Sequence, residues 1–239
     1  MEPSRRAFLG TILACACPSV VSLSAQTILA HTLSKDQRDR LSPEQVLEEL
    51  KQGNARFRSG RMVSRDYRHQ QLASAGGQYP AAAMLGCIDS RGPAEIIFDT
   101  GIGDIFNARI AGNIVTDDLL GSLEFACAAA GAKVVLLFGH TACGAIKGAI
   151  DNVEMGHLTG LLSRIKPAVE ATNFHGERSS KNAAFVDAVA KTNVRLGVEE
   201  IRRRSQILAD LEQKGTIQIV GAMYDIATGG VDFGFKRGT

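Results

Sequence analysis

The sequence predicts an α/β fold: a mainly parallel central β-sheet flanked by helices, with an N-terminal helical arm and a C-terminal β-hairpin. Two observations carry that prediction. Four short apolar runs, "AAAMLGC" (81–87), "DIFNARI" (104–110), "KVVLLFG" (133–139) and "IQIVGAMYD" (217–225), lack polar alternation, as strands buried on both faces do. Helix-patterned stretches near 116–130 and 179–213 separate the later runs, and alternating helices and strands build such a sheet.

The first thirty residues stand apart from that pattern. "SRRAFLG" (4–10) sets two adjacent arginines before the uncharged stretch Ala7 to Ala30. It resembles a twin-arginine export signal: Ser4, Arg5, Arg6, Phe8 and Leu9 match the usual pattern, and Gly10 stands where a Lys is common. Pro18 and scattered Ser, Thr and Gln make the run poor as a membrane span, so residues 1–30 are expected to be cleaved near Ser22, Ser24 and Ala25. The mature chain would then carry no stable membrane span, and its expected location is the periplasm or another exported compartment.

Residues 31–239 are expected to form a single domain, because 239 residues suffice for one well-buried core and are few for two. With 45% apolar and 22% charged residues the chain is an ordinary globule. A formal net charge of +2 argues against a nucleic-acid surface. The one dense basic block, "RRR" (202–204), sits in a helical pattern and reads as a solvated helix face. In the arm, about 42–57, Ser42 is placed as an N-cap and Pro43 at the first helical position. Val46, Leu47 and Leu50 share one face, and Gly53 is a weak point of the helix. That face has no obvious place in a compact layer of its own chain, which favours a homodimer or larger homo-oligomer. At the other end "YDIATGGVDFGF" turns through Thr-Gly-Gly into the hairpin.

With Cys15 and Cys17 leaving in the signal, three cysteines remain, Cys87, Cys127 and Cys143. An odd number suits two metal thiolates and one buried thiol better than a disulfide framework. "GHTACG" (139–144) sets His140 and Cys143 three positions apart where the third strand ends, and "CIDSR" (87–91) stands at the end of the first. Ligands collect beyond the carboxyl ends of the strands in an open α/β sheet, so Cys87 can meet His140 and Cys143. Two thiolates and an imidazole, with one position open, make a catalytic zinc set. The remaining candidates take ordinary readings: His157 starts a helix, His31, His69 and His175 lie on the surface, and Cys127 fills a helix packed on the sheet.

"CIDSR", "ARIAGN" (108–113) and "GHTACG", in that order and at strand ends, resemble the β-class carbonic anhydrases, and the likeness runs from about residue 42 to 235. The resemblance implies one Zn2+ per chain, held by Cys87, His140 and Cys143. Asp89 and Arg91 would be the catalytic pair controlling the fourth metal position, where Asp89 can itself become a ligand. The implied reaction is reversible hydration of carbon dioxide to bicarbonate and a proton. Two thiolates should make the metal's water less acidic than an all-histidine site would, favouring alkaline pH. Gln78, nine residues before Cys87, and Phe106 match substrate-facing positions of the plant-type branch, and the Gly144 N–H would orient a bicarbonate oxygen. Family members are dimers or larger, and Gln78 and Phe106 would complete a neighbour's pocket. Phe125 and Ile110 depart from the familiar Tyr and Asn, which bears on pocket polarity. Without Trp, the bicarbonate site that another branch builds around one is not expected. Two other readings share the metal ligands: a carbon disulfide or carbonyl sulfide hydrolase, and a non-catalytic zinc- or bicarbonate-binding protein. Retention of Asp89, Arg91 and Gln78 argues against the latter.

Overall fold

A computed structural model describes residues 32–235. The export signal, its cysteines and His31 lie outside the described residues. Two capped helices open the described residues, α1 (Lys35–Arg40) and α2 (Pro43–Arg58), followed by α3 (Tyr67–Ser74). The α/β body then runs β1 (Ala82–Gly86), α4 (Ala94–Ile97), β2 (Ile105–Arg109), α5 (Asp117–Glu124), β3 (Val134–His140) and α6 (Gly144–Ile150). It continues through α7 (Gly156–Ser163), α8 (Lys166–Ala171), α9 (Ala183–Arg204), α10 (Gln206–Gln213), β4 (Gln218–Tyr224) and β5 (Val231–Phe235). The strand order is β2-β1-β3-β4-β5, parallel except for the antiparallel β4–β5 hairpin.

All four apolar runs form strands. β1 and β3 are buried throughout, and their alternating side chains feed two cores. Ala83, Leu85, Val135 and Leu137 face Val198 and Ile201 of α9, whereas Met84, Leu136 and Phe138 face α2 and α4. β2 differs from the expectation of burial on both faces: every residue in it is half-buried, because it forms the sheet edge among the described residues.

The Ser42 cap forms as predicted. Gln45 N–H donates to Ser42 Oγ (3.2 Å), and Ser42 N–H donates back to Gln45 Oε1 (2.8 Å), a reciprocal capping box. The destination of this helix corrects the sequence reading, since Val46, Leu47 and Leu50 are buried against Ile97, Phe98 and Phe138 of their own chain. Its apolar face therefore gives no argument for a partner. Gly53 is the contact point: a Cβ there would lie 1.9 Å from the carbonyl oxygen of Phe98. Asn54 fastens the arm, its Nδ2 donating to the carbonyls of Ile97 (3.2 Å) and Gly229 (2.9 Å) while its Oδ1 accepts from Val231 N–H (3.0 Å).

The 179–213 stretch is two helices. Ser205 separates them, its Oγ accepting from Leu208 N–H (3.2 Å) and donating to Glu124 Oε1 (2.6 Å). The arginine triplet is also more structural than a solvated face. Arg202 bridges Glu212 and the Ile219 carbonyl (2.7–2.8 Å), and Arg204 joins Glu200 and Asp117; Arg203 is exposed. Cys127 is buried in a widened helical turn after α5, Phe125–Ala129. His69 and His175 are exposed as expected, and His157 lies in the first turn of α7. No described helix is long and apolar enough to cross a membrane.

Candidate metal centre

The parallel register of β1 and β3 pairs Gly86 with Phe138, so the residues that follow leave the sheet side by side. Cys87 is the first residue after β1, His140 the last of β3, and Cys143 the N-cap of α6. Between His140 and Cys143 the chain turns through Ala142, whose φ of 55° is unusual for a residue with a Cβ. Its N–H donates to Asp187 Oδ1 (3.0 Å), which holds the turn.

The three side chains are buried, and their ligand atoms lie within 4.8 Å of one another. The two sulfurs are 4.0 Å apart. His140 Nδ1 lies 2.9 Å from the Thr141 carbonyl; a carbonyl only accepts, so Nδ1 carries the proton and Nε2 presents a lone pair. That Nε2 is buried and has no hydrogen-bond partner among the described residues. A buried acceptor left unpaired is costly, and beside two sulfurs it is the arrangement a zinc ion completes. The residues fit the metal.

Electrostatics agree with that fit. The Cys143 thiol, donating to its sulfur, holds Cys87 well below the usual thiol range despite burial, and the same contact pushes Cys143 up. A zinc ion would hold both sulfurs as thiolates, releasing the thiol protons. Gly112 N–H also donates to Cys87 Sγ (3.3 Å). Glycine suits that position, because its φ is 68° and a Cβ would sit 2.5 Å from Ile165 Cδ1.

Asp89 stands at the open side. Arg91 grips both its oxygens, Nε to Oδ1 at 2.9 Å and Nη2 to Oδ2 at 2.7 Å, and the Arg91 N–H adds a bond to Oδ1 at 3.0 Å. The Arg91 side chain, more than burial can offset, holds this carboxyl far below the usual carboxylate range. Its Oδ2 lies 3.9 Å from His140 Nε2. The loop itself is pinned by Arg109, which donates from Nε to the Cys87 carbonyl (2.8 Å) and from Nη2 to the Asp89 carbonyl.

Cys87, Asp89, Arg91, His140 and Cys143 thus come together, with Gly144 exposed at the start of α6. Gln78 and Phe106 do not join them within one chain. Gln78 precedes β1 and is exposed beside Ser74 and Gly103, at the end of that strand opposite Cys87. Phe106 pairs with Ala83 in register, four residues before Cys87, and packs on the Phe125 ring at 6.1 Å between centroids. Sequence reading missed the supporting residues. Arg109 and Gly112 lay inside the noted "ARIAGN" without assigned roles, whereas Asp187, 45 residues from Ala142, had no local signal.

Residues 82–231 match the carbonic anhydrase family. The chain belongs to that family, in its β class. Carbonic anhydrase 2 of Mycobacterium tuberculosis is 34% identical over 187 residues, covering 75% of this chain and 87% of the relative. The carbonic anhydrase of Mycolicibacterium smegmatis is 34% identical over 185 residues, covering 77% and 89%. Among solved structures, a tetrameric β-carbonic anhydrase of Sordaria macrospora superposes with a TM-score of 0.59 at 27% identity, over 69% of this chain and 87% of that one. A β-carbonic anhydrase of Aspergillus fumigatus shares the fold, with a TM-score of 0.61 at 24% identity over 79% and 88%. As a carbonic anhydrase this chain is a zinc enzyme of carbon dioxide hydration, and its Cys–His–Cys cluster is compatible with that metal.

Proposed function

We propose that Cys87, His140 and Cys143 hold the zinc, and that Asp89 and Arg91 govern the reversible hydration of carbon dioxide beside it. The observation that carries this reading is the buried His140 Nε2, unpartnered among the described residues and grouped with two buried sulfurs. When bound, zinc makes hydroxide available from water near neutral pH. The chain's own residues do the rest. Thr141 fixes the His140 tautomer, and Gly112 N–H stabilises the Cys87 thiolate. Arg91 keeps Asp89 ionised and turned into an ion pair, so that its carboxylate accepts a hydrogen bond from the nucleophile and orients it instead of ligating the metal. Hydroxide adds to the carbon of CO2, giving bicarbonate, and the proton released from water goes to solvent. The Gly144 N–H, beside the last ligand, is placed to orient a bicarbonate oxygen. The test is zinc content and CO2 hydration of the purified chain beside Cys143→Ser, with carbonyl sulfide and carbon disulfide as parallel substrates. Loss of both zinc and hydration in the variant is expected; full metal content there would defeat the ligand assignment, and turnover of a sulfur substrate alone would defeat the reaction.

The working unit in this reading is a homo-oligomer of the plant-type kind, in which Gln78 and Phe106 serve a neighbouring copy's site. Their separation from Cys87 within one chain, the edge position of β2 and the exposure of Phe125 (58%) support it. A fully active monomer in sedimentation would overturn it. Export through the twin-arginine route, read from Arg5 and Arg6, is tested by cell fractionation: Arg5→Lys/Arg6→Lys should leave the protein in the cytoplasm.

A further inference from the structure

The peptide unit between Thr141 and Ala142 is hydrogen-bonded at both of its polar ends. Its carbonyl accepts from His140 Nδ1 at 2.9 Å, and its N–H, on Ala142, donates to Asp187 Oδ1 at 3.0 Å. A peptide unit is planar, so the two groups turn together. Asp187 is a half-buried residue of α9. On the Thr141 side the chain is anchored: Thr141 N–H donates to the Tyr224 carbonyl (3.0 Å), and Thr141 Oγ1 accepts from Ile226 N–H (3.1 Å). On the other side it is strained. Ala142 has a φ of 55°, a left-handed conformation that costs a residue with a Cβ. Rotation of this one plane relieves that strain, because it changes ψ of Thr141 and φ of Ala142 together. The same rotation turns the Thr141 carbonyl away from His140.

We propose that Asp187 is a positioning residue for His140, acting through the Thr141–Ala142 peptide. The relay runs from the Asp187 carboxylate to Ala142 N–H, across the peptide plane to the Thr141 carbonyl, and on to His140 Nδ1–H. Metal-binding histidines often donate the other ring N–H straight to a carboxylate, which fixes the ring's orientation and raises its basicity. Here one peptide unit stands between carboxylate and imidazole. The carboxylate bond to Ala142 N–H is charge-assisted, so it opposes the left-handed strain and keeps the carbonyl aimed at His140. It also polarises that carbonyl into a stronger acceptor. This role rests on His140 being a zinc ligand, as proposed above, and gives Asp187 a part that the ligand assignment does not.

The test uses the zinc-loaded protein, 15N-labelled at histidine, with two readouts: solvent exchange of the assigned His140 Nδ1–H resonance and zinc affinity by chelator competition. Alanine is a strong helix former, so α9 keeps its fold in Asp187→Ala. That variant should exchange the His140 proton faster than wild type and bind zinc about tenfold more weakly, the lower end of losses from outer-shell partners. Asp187→Asn keeps an acceptor oxygen and should restore most of both. Glycine carries no left-handed penalty, so Asp187→Ala/Ala142→Gly should regain part of the affinity that Asp187→Ala loses. A residue that only stabilised α9 would move unfolding and leave both readouts where they were. Unchanged exchange and zinc affinity in Asp187→Ala overturn the proposal, as does a loss that neither asparagine nor the added glycine relieves. Wild-type protein that holds no zinc on His140 would overturn the ligand assignment and this role together, whereas zinc-loaded wild type beside an indifferent Asp187→Ala would overturn this role alone.

Discussion

Asp89 sits between two claimants: Arg91 holds both its oxygens at 2.7–2.9 Å, and His140 Nε2 lies 3.9 Å from one of them. A carboxylate this close to a metal-ligand atom can reach the metal once released. Arg91 is half-exposed, so the contact works by geometry more than by net ion-pair energy. Arg91→Ala should therefore keep its zinc and lose activity by about 10–100-fold, the usual cost of removing an outer-shell partner. Metal analysis with stopped-flow hydration measures both. Near-normal turnover, with a crystal structure showing Asp89 still remote from the metal, would sink the idea.

Gly53 lets α2 lie against the Phe98 carbonyl, where a Cβ would fall at 1.9 Å. Gly53→Ala gains up to about 1 kcal/mol of helix propensity, but it must push back a main-chain atom, and overpacking of this kind costs about 1–3 kcal/mol. The clash is with backbone, which cannot rotate away, so it should win. Denaturant unfolding should show net destabilisation of about 1–2 kcal/mol; a stabilised variant would mean that the arm does not dock as described.

What the sequence made legible was local. The apolar runs of β1 and β3 carry no alternation because both faces are buried, and the Ser42–Pro43 start carries its cap within four residues. Cys87, His140 and Cys143 could be joined because strand ends in a parallel sheet share one edge. What escaped was long-range. The partner of Gly53 is 45 residues away, and nothing near Val46 says that Phe138 covers it. Ser205 ends a helix through Glu124, 81 residues earlier. Arg202 and Arg204 looked solvated because their acceptors, Glu212, Ile219 and Asp117, come from other elements. The family pattern gave Gln78 and Phe106 to a neighbour's pocket, and one chain does hold them away from its own metal site.

Arg109 spans the Cys87 and Asp89 carbonyls with one planar guanidinium, tying a metal ligand to the carboxylate beside it. Lysine keeps the charge but lacks the two-pronged fork. Arg109→Lys should fold normally by circular dichroism yet bind zinc about 10–100-fold more weakly, read by chelator competition. Unchanged zinc affinity would reduce Arg109 to a loop ornament.

Cys127 supplies a pH signature free of the metal. Burial alone pushes its thiol up from 9.0 to about 12, because the thiolate has no donor or cation to replace water. The folded state thus keeps its proton after the unfolded state has lost it. Below pH 9 both forms are protonated and the stabilising contribution is fully present; from about 9 to about 12 it is lost as pH rises. Each pH unit in that window should lower stability by up to about 1.4 kcal/mol, the weight of one proton. Unfolding free energies of the zinc-loaded enzyme between pH 8 and 10.5 should accordingly fall more steeply than those of Cys127→Ala, in which that ionisation is absent. The two slopes being equal would mean that water reaches Cys127, and a thiol reagent at neutral pH would then label it in the native protein.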